Sequence, residues 1–67
     1  MNWHQIEGKW AQFRGQMKEK WGQLTDDELD LIAGNRDKLI GKLQEKYGLT
    51  KTEAERQLEE WQRYVRM

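Results

Sequence analysis

Gly15-Gln16-Met17-Lys18-Glu19-Lys20-Trp21-Gly22-Gln23-Leu24-Thr25 is echoed later in the chain by Gly41-Lys42-Leu43-Gln44-Glu45-Lys46-Tyr47-Gly48-Leu49-Thr50. The second stretch is the first moved on by 26 residues, with Gln23 extra in the first copy. All six glycines obey the same rule: Gly8, Gly15 and Gly22 are followed by Gly34, Gly41 and Gly48. Self-similarity over such a length points to a duplicated helix–turn–helix unit, with the repeat covering about residues 8–25 and 34–50.

Working outward, both copies end with the same punctuation. Gly22 and Gly48 follow amphipathic runs, where a left-handed residue commonly closes a helix. Thr25 and Thr50 each precede a Glu by three residues, Glu28 and Glu53. That is the capping box: the Thr oxygen accepts from a free first-turn amide, and the Glu reaches back to the Thr amide. Asp26 and Asp27 add negative charge where the helix dipole favours it.

Four helices are predicted. The first spans about Trp3 to Trp21, because Trp3, Ile6, Trp10, Phe13, Met17 and Trp21 recur at helical spacing. The second is short, about Asp26 to Ala33, with Leu29, Ile32 and Ala33 inward. Gly34-Asn35 is read as a kink or break, with a continuous helix as the alternative. The third spans about Arg36 to Tyr47, with Leu39, Ile40, Leu43 and Tyr47 apolar. The fourth spans about Lys51 to Tyr64, with Ala54, Leu58, Trp61 and Val65 on one side. Short loops then predict a single all-α domain over residues 1–67, a small four-helix bundle made of two helical hairpins. Glycine within a helix costs up to about 1 kcal/mol relative to Ala. Close approach between helices is the expected reason for tolerating it here, with local looseness as the alternative.

At this point the chain resembles the CsbD-like family of bacterial general stress-response proteins. The likeness rests on the run from Trp10 to Thr25, which includes Trp21-Gly22-Gln23-Leu24-Thr25, and on the run from Gly34 to Gly48. The Trp21-Gly22-Gln23-Leu24-Thr25 element narrows it to the aromatic-rich YjbJ-type branch. The resemblance implies a SAM-domain-like arrangement and a bacterial cytoplasmic protein that accumulates under stress or in stationary phase. It brings no catalytic or ligand residues with it.

Composition excludes much chemistry. The 67 residues contain no Cys, no Ser and a single His, His4. No Ser–His–Asp or Cys–His arrangement is possible, and no enzyme is expected. The acidic run Asp26, Asp27, Glu28, Asp30 lacks calcium-loop spacing, and the glycines lack a phosphate-loop lysine, so neither metal nor cofactor is expected. No leader and no membrane span is visible, which makes the cytoplasm the expected location. Hydrophobic and charged residues each make up 36%, with a mean hydropathy of −1.18. That composition borders on disorder, and four Trp, two Tyr and one Phe pull it back.

Partners are unknown at this stage, and a monomer is expected. Two surfaces stand as alternatives. Lys18, Lys20, Arg36, Lys38, Lys42 and Lys46 could gather into a nucleic-acid patch, although twelve basic and twelve acidic residues leave no net charge. Residues 1–25 and 35–48 each carry net +2, residues 26–34 carry four acidic groups and no basic one, and residues 49–67 balance. Trp3, Ile6 and Trp10 could instead form an exposed apolar surface lying on a membrane.

Overall fold

A computed structural model describes residues 2–65. Five helices follow one another: α1 Trp3–Gly8, α2 Trp10–Lys20, α3 Asp26–Ile32, α4 Arg36–Tyr47 and α5 Lys51–Tyr64. No strand occurs among the described residues. Four helix starts carry a side-chain cap. Asn2, Thr25, Asn35 and Thr50 accept from the amides of Gln5, Glu28, Lys38 and Glu53. At Thr25 and Thr50 both halves of the predicted capping box are formed, with bonds of 2.9–3.1 Å.

Most of the predicted apolar positions form the core, joined by Leu24, whereas Trp3, Trp10 and Tyr47 are half-buried and Ala33, predicted inward, is exposed at the end of α3. Ile6, Phe13, Met17, Trp21, Leu24, Leu29, Ile32, Leu39, Ile40, Leu43, Ala54, Leu58, Trp61 and Val65 are all buried. Trp61 is its aromatic centre, with the rings of Phe13 and Trp21 at 6.2 and 6.0 Å. No charged or polar residue is buried among the described residues. Helices α4 and α5 form a helical hairpin, and α3 packs on α4. The radius of gyration is 10.8 Å, which is what a globule of this length should have, about 11 Å. The aromatic core therefore outweighs the near-disordered composition.

Three expectations are corrected, and one open reading is decided. The first predicted helix is two helices, because the chain bends at Lys9 (φ −121°, ψ 36°). Bending carries Ile6 into the core and Trp3 onto the turn between α3 and α4. Of the readings left open at Gly34-Asn35, the break holds: Ala33 (φ 48°) and Gly34 (φ 82°) are both left-handed, so the chain reverses there. Gly22 does not take up the left-handed conformation, whereas Gly48 does (φ 67°). The extra Gln23 explains this, since it lets the chain close a turn with Leu24 N–H donating to the Trp21 carbonyl at 3.0 Å.

The third correction concerns the helical glycines. Nothing lies within 4 Å of where a Cβ would stand on Gly8, Gly15 or Gly41, so none of them permits a close helix approach. Gly34 does. A Cβ there would stand 3.1 Å from the Cα of Glu7 and 2.9 Å from its Cγ. The one tight backbone contact thus belongs to a turn glycine.

Candidate interaction surface

The charges that are segregated along the sequence meet in space. Helix α3, with four acidic residues, lies between two basic helices. On the α2 side Arg14 pairs with Asp30, and Lys18 reaches Asp26 at 3.0 Å. On the α4 side Lys46 and Lys42 reach Glu28 at 2.9 and 3.5 Å. Lys42 also bridges to Glu45 at 3.5 Å, and Arg36 faces Glu55 of α5 at 3.9 Å.

Glu28 is the focus of this set. Its side chain is 16% exposed, and it accepts from both the Thr25 amide and Lys46. The Thr25 amide, followed by Lys46, lowers its pKa to about 2. Lys18 likewise lowers Asp26, mainly through its hydrogen bond. Glu53, at the equivalent place in the second repeat, is lowered chiefly by the Thr50 amide and has no lysine partner in its shift.

The six residues of the predicted nucleic-acid patch therefore do not form one free surface. Lys18, Arg36, Lys42 and Lys46 each face a carboxylate. Lys20 and Lys38 have no ion pair among the described residues, and they border different grooves. Lys20 lies with Glu60, Trp61 and Tyr64 along a groove of about 380 Å³ between α2 and α5. Lys38 lies with Leu31, Ile32 and Gly41 along one of about 410 Å³ between α3 and α4.

The predicted apolar surface is also redistributed. Ile6 is fully buried, because the bend at Lys9 turns it inward. Trp3 and Trp10 are half-buried, with ring centroids 6.2 Å apart and planes tilted by 59°. Their indole N–H groups donate to the carbonyls of Gly34 and Leu29 at 2.8 and 2.9 Å. An indole buried along its face still needs a partner for its N–H, and these two find it at the end of α3. Among the described residues, the large apolar side chains left in solvent are Leu31 and Tyr64, at 72% and 85% exposure. Neither was singled out from the sequence. Tyr64 stands three residues beyond the buried Trp61, a spacing that by itself predicts the same helix face rather than exposure.

Among the described residues no group of His and carboxylates could hold a metal ion, and no helix is long and apolar enough to cross a membrane. The profile of the CsbD-like family matches residues 4–56, which takes in both repeats and all five helix starts but that of α1. The chain belongs to the CsbD-like family. Its relatives agree over nearly the whole length. The CsbD-like chain is 48% identical over 63 residues to UPF0337 protein YjbJ of Escherichia coli O6:H1, covering 94% of this chain and 91% of that one. It is 50% identical over 62 residues to UPF0337 protein YjbJ of Salmonella typhimurium, covering 92% and 89%. It is 52% identical over 58 residues to UPF0337 protein NE2439 of Nitrosomonas europaea, covering 87% of this chain and 62% of that one. No solved structure matches the chain.

Proposed function

We propose that this CsbD-like chain is a non-enzymatic, cytoplasmic protein of the bacterial stress response that acts through its folded surface, in a protective or partner-binding role. Membership of the family carries this reading, and the resemblance supplies its physiological context. The chemistry of the chain supports it. Thr25, Thr50, Glu28 and Glu53 serve in caps, Asp26 and Asp30 in ion pairs, and both grooves are open and lined by mixed charges. Internal pairing of the basic helices with α3 weighs against a nucleic-acid role, because a phosphate backbone would have to displace carboxylates already in place. Five short helices on one core also support the SAM-domain-like arrangement that the resemblance implies. The chain works as a monomer when dilute.

The test is abundance in the native host. Quantitative immunoblotting should show a severalfold rise from exponential growth to stationary phase and on transfer to high salt. Equal levels in all three cultures would remove the stress assignment. An amide-resolved titration with DNA, RNA and anionic liposomes complements it. Unchanged resonances keep the reading, whereas salt-sensitive shifts at Lys20 and Lys38 would move it to nucleic acid.

A further inference from the structure

The helical pattern of the sequence and the folded chain part company at Lys9. The apolar stripe from Trp3 to Trp21 runs through this residue with helical spacing, and no proline interrupts it. Yet the backbone leaves the helix there. The Lys9 amide is shared between the carbonyls of Gln5 and Ile6, both at 3.2 Å. Its carbonyl accepts from the amides of Gln12 and Phe13 at 2.9 and 3.1 Å. Kinks of this size usually have a proline, a π-bulge or an inserted group behind them. Here no proline is present, and α1 makes its own contacts on the far side of the bend.

Those contacts form a compact docking site. Ile6 is fully buried. Trp3 donates to the Gly34 carbonyl at 2.8 Å. The backbone of Glu7 rests on Gly34, where no Cβ would fit without displacement. Helix α1 is thus a six-residue arm that reaches its site by turning at a single residue. The same arm from a second copy would fill the site with identical contacts. Exchange of an identical element across a short hinge is a low-cost route to a dimer.

We propose that the concentrated protein forms a domain-swapped dimer. In it Lys9 becomes helical, α1 and α2 join into one helix, and α1 of each copy docks Trp3 and Ile6 on the Gly34 turn of the other. The joined helix, Trp3 to Lys20, is about 27 Å long, comparable with the 29 Å longest dimension of the molecule. It would have the uninterrupted pattern that the sequence spacing predicts. A net charge of zero puts no long-range repulsion between two copies. Every contact of the arm is retained, so the balance lies between helix continuity at two hinges and the entropy of association.

Sedimentation equilibrium from micromolar to millimolar chain tests this, on protein refolded from denaturant as an equal mixture of isotope-labelled and unlabelled copies. A dimer should appear at the upper end, with isotope-filtered cross-peaks between the Trp3 indole of one copy and Gly34 of the other. Lys9→Gly disfavours the helical hinge in both copies and should weaken the dimer roughly tenfold. Gly8→Ala, which has open space around it, should strengthen it. Circular dichroism verifies that both variants remain folded. A wild-type chain that stays monomeric at millimolar concentration overturns the proposal. So does a dimer whose cross-peaks lie elsewhere, or one indifferent to Lys9→Gly.

Discussion

The two repeats of this chain share a sequence pattern and use it differently. In the second, α4 runs unbroken through Gly41 and stops at a left-handed Gly48. In the first, the chain has already bent at Lys9 before α2 begins, and Gly22 follows a helix end without left-handed geometry. Gly8 and Gly34 occupy the same repeat position, yet one is exposed at the end of α1 while the other is a buried turn under Glu7. Trp21 is buried and donates to Gln57 at 3.0 Å, whereas its counterpart Tyr47 is half-buried and accepts from the amide of Gln23. The inserted residue of one repeat is thus fastened to the aromatic of the other. The repeats were free to diverge because each fills a different side of one core.

The strongest way to break that comparison is to truncate the paired aromatics. Trp21→Ala should cost about 3–5 kcal/mol, in line with large-to-small changes at buried aromatic sites. Tyr47→Ala should cost well under that, since Tyr47 keeps one side in solvent. Urea unfolding of the two variants measures the gap, and equal losses would mean that the halves contribute to the core alike.

The glycine pair comes next. Gly34→Ala meets both a left-handed backbone and the Glu7 backbone, and should destabilise by about 2 kcal/mol or more. Gly8→Ala should be neutral or stabilising, because nothing surrounds the added methyl. Thermal melts decide it. Similar melting temperatures for the two variants would contradict the tight contact at Gly34.

Acid titration sharpens the contrast between the two capping boxes. Glu28 ionises well below its ordinary value of 4.5, at about 2. Depressed carboxylates stabilise the fold above their unfolded pKa and lose that contribution as the pH falls through the folded value. Stability should therefore hold above about pH 5 and decline from pH 4.5 towards 2. Glu28→Gln should flatten this decline more than Glu53→Gln, because Glu28 alone of the two has lysines from α4 upon it. Unfolding free energy at a series of pH values checks the order.

The smallest effect has the opposite sign. Gly15→Ala and Gly41→Ala lie at equivalent exposed helical positions with no neighbour within 4 Å. Each should stabilise by about 0.4–1 kcal/mol. Loss of stability in either would show that the glycine is needed for a contact the monomer does not make.

Much of the fold was legible because its signals are local. Both Thr–Glu boxes formed as read, and the stripe from Phe13 to Trp21 is in the core. The candidate surfaces were far less legible. Ile6 reads as a terminal apolar residue until the bend at Lys9 is known. The lysines at 42 and 46 read as a free basic face until α3 is set beside them. No spacing rule brings Glu28 to Lys46 or Trp3 to Gly34, since these pairs join separate elements.

The sequence by itself determined an all-helical chain, its cap residues, the composition of its core and its place in the CsbD-like family. These depend on relations among residues a few positions apart, where backbone geometry dictates which side chains meet. Only the tertiary structure decided that the first helix is two, that Gly34 and not the helical glycines takes the close contact, and that the basic helices are matched by α3. Those outcomes follow from burying one shared apolar core. Its demands override a helix at Lys9, and they bring opposite charges together across the chain.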